Sequence, residues 1–108
     1  MELQLSERAQ RVLQKLQPGS DLASSIEAVT LDAVRMRLRE VTDHVGEFES
    51  RYGSAFDQFA IEWKAGRIPD RFSHRKERDF MEWEALTMER QELLALIREL
   101  SAPLDTAS

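Results

Sequence analysis

The sequence predicts an all-α fold: a long antiparallel helical hairpin with a short connecting helix and an N-terminal helix. Its 108 residues fall in the size range of one domain, so we treat residues 1–108 as a single unit. Four glycines and three prolines are too few for a turn-rich all-β protein. Apolar residues recur at helical spacing over two long stretches, which predicts two long helices.

The N-terminal helix is predicted over 3–17, within a first segment of 1–20. Leu5, Ala9 and Leu13 share one helical face, although Ser6 followed three residues on by Ala9 is only a partial capping pattern. The Pro-Gly-Ser turn at 18–20 then ends this helix.

A long helix is predicted within 21–53, with its start near Ser24, three residues before Glu27 in a capping-box pattern. Gly53 suits the left-handed residue that closes a helix. The apolar positions alternate three and four residues apart, as in a coiled coil, at Leu31, Val34, Leu38, Val41, Val45, Phe48 and Tyr52.

A short helix is predicted within 54–66, started by Ser54 and Asp57, and a loop follows over 67–73. The last helix is predicted over 74–101 with Ser73 as its cap, although a start as late as Asp79 is also open. Its inner face carries Phe80, Trp83, Leu86, Leu93, Ile97 and Leu100. The tail at 102–108 has little apolar content and is predicted to be mobile.

All eight aromatic residues lie within 48–83, around the bend of the hairpin, so the densest core is predicted there. The predicted aromatic core is Phe48, Tyr52, Phe56, Phe59, Trp63, Phe80 and Trp83. The opposite, open end depends on Leu, Val and Ile alone. Unless the N-terminal helix covers them, its apolar stripes are expected to remain exposed and to pair two hairpins into a homodimeric helical bundle.

The sequence supports no enzyme chemistry, and we predict no catalytic, cofactor-binding or metal-binding residues. There is no cysteine, the four glycines stand alone, and neither His44 nor His74 has the Glu-x-x-His spacing of di-iron bundles. The acids near the start of the last helix, Glu77, Asp79 and Glu82, are attributed to the helix dipole. With no signal peptide and no membrane span in view, we expect a cytoplasmic protein.

Charge is segregated along the chain, whose net charge is −5. Residues 64–78 hold six basic and two acidic side chains, and residues 79–99 hold two basic and six acidic ones. The plainest interpretation is two solvated faces. The alternatives are a docking surface for a protein of complementary charge, or a nucleic-acid contact by the basic loop with Phe72 or Trp63 stacking on bases. The acidic balance makes nucleic acid the less favoured partner.

Residues 51–86 resemble a motif of small prokaryotic helical proteins, the antitoxin side of two-gene toxin–antitoxin modules, including those paired with small TumE-type toxins. Tyr-Gly-x-x-Phe-x-x-Phe precedes a loop and an acidic-aromatic Glu-Trp-Glu-Ala-Leu helix. The matching residues are Tyr52, Gly53, Phe56, Phe59, Trp63, Gly66, Asp79, Glu82, Trp83, Glu84, Ala85 and Leu86. The resemblance implies a chain that binds its toxin directly and has no enzymatic activity.

The leading hypothesis is therefore a non-enzymatic protein that binds a partner through an apolar helix face rimmed by acid. The predicted partner or dimer surface is Leu31, Val34, Leu38, Val41, Leu93, Ile97 and Leu100. The predicted electrostatic docking residues are Glu82, Glu84, Glu89 and Glu92. The alternatives are a structural homodimer without a specific ligand and a nucleic-acid accessory protein that uses the basic loop 64–78.

Overall fold

A computed structural model describes residues 5–101 and places them in four helices. These helices are α1 (Glu7–Leu16), α2 (Leu22–Tyr52), α3 (Phe56–Lys64) and α4 (His74–Ser101). The described range contains no strand, so the predicted all-α class is confirmed. The predicted helix start at residue 3 and the predicted mobile tail at 102–108 lie outside the described residues.

The two long helices, α2 and α4, pack against each other as an antiparallel hairpin. Near the bend, the ring of Phe48 stacks on that of Trp83 with centroids 5.6 Å apart. Farther from the bend, Arg37 of α2 reaches Glu89 of α4. Contacts made earlier in α2 are therefore met by residues later in α4, as an antiparallel pair requires. The apolar stripe of each helix faces inwards.

The start of α2 differs from its prediction near Ser24. Asp21 is the N-cap, and its carboxylate accepts the Ser24 backbone N–H at 2.7 Å. An aspartate at this position caps a helix well and can extend it back to Leu22. At the other end, Gly53 adopts the predicted left-handed conformation, with φ of 69°, and its N–H closes the helix on Glu49.

The connection between α2 and α4 also differs from its prediction at one end. Ala55, rather than Ser54, is the N-cap of α3, and it makes no side-chain capping bond. Residues 53 and 54 are taken up in turning the chain out of α2, so α3 begins only at Phe56. At the start of α4, Ser73 acts as the cap, accepting the Lys76 N–H at 3.3 Å.

The core lies between α2, α3 and α4 and is densest at the bend. Trp83 is 0% exposed and contacts rings from both other helices, including Phe59 at 5.0 Å between centroids. The buried apolar residues are Val41, Phe48, Phe59, Trp83, Leu86 and Leu93. Aromatic rings supply three of these six, so the bend holds most of the buried apolar volume.

The N-terminal helix α1 packs on the start of α2. Ser25 is buried there. It lies sixteen residues before Val41, which at 100° per residue places it on nearly the opposite face of α2. Helix α1 therefore does not cover the inner stripe of the hairpin, and its own Val12 and Leu16 stay exposed.

Candidate partner-binding site

A groove runs between α2 and α4 on the side where α3 lies. Gly53 turns the chain at the end of α2, so α3 begins at Phe56, close to the bend. Helix α3 fills the groove at the bend. Beside the first turn of α3, on the side away from the bend, the groove is open and encloses a volume of about 210 Å³. Its walls there include Val45 from α2 and Thr87 from α4.

The helix faces that form these walls extend towards the open end of the hairpin. Leu38 and Leu31 lie seven and fourteen residues before Val45, and Leu94 lies seven after Thr87. Seven residues make almost two helical turns, so these side chains lie on the same faces as the groove walls. We call this surface the open groove; its residues are Leu31, Leu38, Val45, Thr87 and Leu94, all half-buried.

The predicted partner surface divides into two groups in the structure. Val41 and Leu93 are 1% and 8% exposed, because α2 and α4 bury the centre of the stripe against each other. In this conformation neither can contact a partner. The other five are half-buried: Leu31, Val34, Leu38, Ile97 and Leu100. Leu31 and Leu38 belong to the open groove, and Leu94 is a groove residue that the prediction did not include.

The predicted acidic docking residues also divide. Glu82, Glu84 and Glu92 are exposed on α4. Glu89 accepts two hydrogen bonds from Arg37, at 2.6 Å from Nε and 2.8 Å from Nη2. These hydrogen bonds hold the pKa of Glu89 below its ordinary value. Glu89 therefore ties α4 to α2, and the other three carboxylates remain available to a partner.

The predicted aromatic core residues all belong to one cluster of packed side chains. Phe48, Phe59 and Trp83 are buried, and the other four are half-buried. Trp63 stacks on Phe80 with centroids 4.7 Å apart. These rings hold the bend together, and Trp63 has its face occupied and is not free to stack on a base.

A polar cluster at the bend was missed by the sequence reasoning. Asp79, which is buried, accepts hydrogen bonds from Arg51 at 2.8 Å and from the Tyr52 hydroxyl at 2.5 Å. Burial alone would raise the pKa of Asp79, but these hydrogen bonds outweigh it and the pKa is lowered. Burial, with the bond to Asp79, raises the pKa of Tyr52 to about 12.

The basic loop borders a cleft of about 790 Å³ between the end of α2 and the start of α4. Three of its cations are held by groups of the chain itself: Arg51 by Asp79, Arg71 by the Trp63 carbonyl at 2.6 Å, and Lys76 by the Pro69 carbonyl. Phe72 is 75% exposed, and the Arg71 guanidinium lies 4.6 Å from its ring centroid. Arg71 and Lys76 therefore fix the loop, and Phe72 is the accessible aromatic side chain of the loop.

Within residues 5–101 no group of three or more His, Asp or Glu side chains is placed to hold a metal ion. None of the helices in that range is both long and apolar enough to cross a bilayer. Comparisons with protein-family models, curated proteins and solved structures found no match to this chain.

Proposed function

We propose that this chain is a non-enzymatic protein-binding module that accepts an amphipathic helix of a partner protein in the open groove. One observation carries the proposal: α3 already fills the bend end of this groove, and beyond it the groove is crossed by the Arg90 side chain, which donates to the Thr42 hydroxyl at 3.4 Å, rather than covered by a helix. A partner helix would continue the layer that α3 begins and complete a three-helix bundle along the hairpin.

The side chains that α3 inserts show what a partner should offer. Phe56, Phe59 and Trp63 lie at i, i+3 and i+7 and pack on Phe80 and Trp83. A partner helix with apolar residues at the same spacing would cover the half-buried leucines of the open groove. Because two acidic side chains and one basic side chain line the pocket of this groove, Glu49, Asp57 and Arg90, a partner helix with basic flanks is favoured.

In its sharpest form, the partner is a toxin and this chain is its antitoxin. The support is the resemblance of residues 51–86. Tyr52, Phe56, Phe59 and Trp83 of that motif pack around the bend, so the motif describes the scaffold, and the open groove lies largely outside it. Which toxin binds would then depend on the groove residues.

The test begins with recovery of a stoichiometric partner from the native host and purification of that protein. Binding to the wild-type chain is compared by calorimetry with binding to a Leu38→Asp/Leu94→Asp variant, which should bind at least tenfold more weakly. Leu93 is unsuitable for this test because it is buried and a charge there would unfold the hairpin.

The matched control is Met36→Asp/Ile61→Asp, two charges on exposed apolar residues away from the groove. It should bind like the wild type. Equal binding by both variants would contradict the groove assignment. The antitoxin form further requires that the partner be toxic alone and harmless when co-expressed with this chain.

A second candidate, a single-stranded nucleic-acid contact, is favoured by the exposure of Phe72 beside Arg71 in the basic cleft. It predicts oligonucleotide binding that weakens steeply with salt and is lost in Phe72→Ala and Arg75→Gln. A chain that binds neither oligonucleotide nor protein and only self-associates would be the structural homodimer.

A further inference from the structure

The outer face of α4, turned away from α2, carries a second regular seam. Its positions alternate four and three residues apart and are all exposed: His74, Arg78, Met81, Ala85, Met88, Glu92, Ala95 and Glu99. We call them the outer seam. Met81 and Met88 at its centre are 69% and 59% exposed, among the most exposed large apolar side chains described. This is the spacing of a coiled-coil interface.

The seam is polarised. Arg78 near its start is basic, its centre is apolar, and Glu92 and Glu99 near its other end are acidic. A parallel pair of such seams would bring each glutamate against its own copy. An antiparallel pair would bring the basic end of one seam against the acidic end of the other, so the outer seam is complementary to itself.

We propose that the outer seam pairs antiparallel with the outer seam of a second copy of this chain, with a two-fold axis passing between residues 86 and 87. In this register Ala85 faces the partner's Met88, and Met81 faces the partner's Glu92. Arg78 lies between the partner's Glu92 and the partner's Glu99.

The flanking positions also fit this register. Glu77 and the partner's Arg98 lie side by side as opposite charges. The one unfavourable pair is Glu82 with the partner's Glu89, and Arg37 already neutralises Glu89 within each copy.

The outer seam leaves the open groove free. Met88 is one residue after Thr87 and therefore lies about 100° away from it around α4. Self-pairing and partner binding use different faces and can be tested separately. The homodimer predicted from the inner stripes would have to use their half-buried residues, because α2 and α4 bury Val41 and Leu93 at the centre of those stripes within one chain. The outer seam offers a second copy an uncovered face instead.

The orientation is tested by disulfide trapping, which is clean because the chain has no cysteine. Ala85→Cys and Met88→Cys proteins are purified separately, mixed and oxidised. The antiparallel register predicts that the mixed cross-link forms in preference to either like-with-like cross-link, since residues 85 and 88 share a layer. Preferred like-with-like cross-linking would show a parallel pair and overturn the proposal.

The contribution of charge to dimer affinity is tested by analytical ultracentrifugation of charge-reversed variants. Arg78→Glu should weaken the dimer about tenfold, and adding Glu92→Arg and Glu99→Arg should restore it by reversing both ends. Arg11→Glu on α1 is the matched control and should leave the affinity of the dimer unchanged. A monomer at all concentrations, or a dimer that survives Arg78→Glu but dissociates with Leu38→Asp, overturns the proposal. The latter result would place the dimer contact in the open groove.

Discussion

The bend half of the hairpin and its open half are built from the same two helices but bury their side chains to different extents. At the bend, α3 adds a third layer, and aromatic rings from α2 and α3 enclose Trp83 of α4. Towards the open end the inner residues are aliphatic, and most are half-buried. A two-layer arrangement cannot enclose leucines as fully as a three-layer one. The bend therefore supplies most of the stability, and the open half leaves part of its apolar surface uncovered.

The largest expected effect comes from removing the centre of the bend. Trp83→Ala should lower the free energy of unfolding by about 3–5 kcal/mol, because it leaves a cavity among rings that cannot close over it. Leu38→Ala in the open half should cost less than about 2 kcal/mol, since its side chain is already partly in water. Urea denaturation followed by circular dichroism measures both. Equal losses of unfolding free energy in the two variants would contradict the difference in stability between the bend half and the open half.

The hydrogen bonds between α2 and α4 should also contribute more to stability at the bend than in the open half. Tyr52→Phe removes a hydrogen bond to the buried Asp79 and should cost about 1.5 kcal/mol. Glu89→Gln weakens the more exposed pair with Arg37 and should cost less, because water and salt screen it. Denaturation of the two variants beside the wild type gives the order. A larger loss of stability in Glu89→Gln than in Tyr52→Phe would contradict the greater stability of the bend.

The pH dependence of stability should report the bend cluster. The pKa of Asp79 is lowered in the fold, so its contribution is present above about pH 3.9, the ordinary aspartate value, and is lost as the pH falls through the folded value. The pKa of Tyr52 is raised to about 12, so its contribution is present below about pH 10 and lost as the pH rises towards 12.

The single tyrosine of this chain makes the alkaline limb directly observable by ultraviolet absorbance of tyrosinate. Tyr52→Phe should remove that part of the alkaline destabilisation and leave the rest. A Tyr52 that titrates at its ordinary value in the folded protein would contradict both the burial of its hydroxyl and its hydrogen bond to Asp79.

The smallest expected effect concerns a wall of the open groove. The Thr87 hydroxyl is buried and makes no hydrogen bond within residues 5–101. Thr87→Val keeps the shape and removes the unsatisfied group, so stability should stay the same or rise by up to about 1 kcal/mol. Thermal denaturation measures it. A clear loss of stability would show that the hydroxyl has a partner in solution.

The sequence was sufficient for features that depend on spacing along one helix. The inner stripe of α2 follows from the alternating three- and four-residue spacing, the inner stripe of α4 follows from its helical spacing, and Gly53 closes α2 as its conformational freedom predicts. The start of α2 was misplaced because both Asp21 and Ser24 are good caps, and the choice between them depends on where the preceding turn ends.

Features that join distant residues were not predictable in this way. Asp79 is one of several acids at a helix start, where the helix dipole explains them all equally well. Only the packing of α2 on α4 brings Arg51 and Tyr52 to it. The open groove likewise depends on which side of the hairpin α3 occupies, and no pattern within a single helix determines that side.

Native-state hydrogen exchange of the isolated chain at low protein concentration, resolved by residue, tests the division of the molecule most directly. We expect the amides of 48–52 and 79–86 to exchange through global unfolding. The amides of α1 and of the open ends of α2 and α4 should exchange through local opening. Uniform protection along both long helices, or stronger protection at the open end, would contradict it.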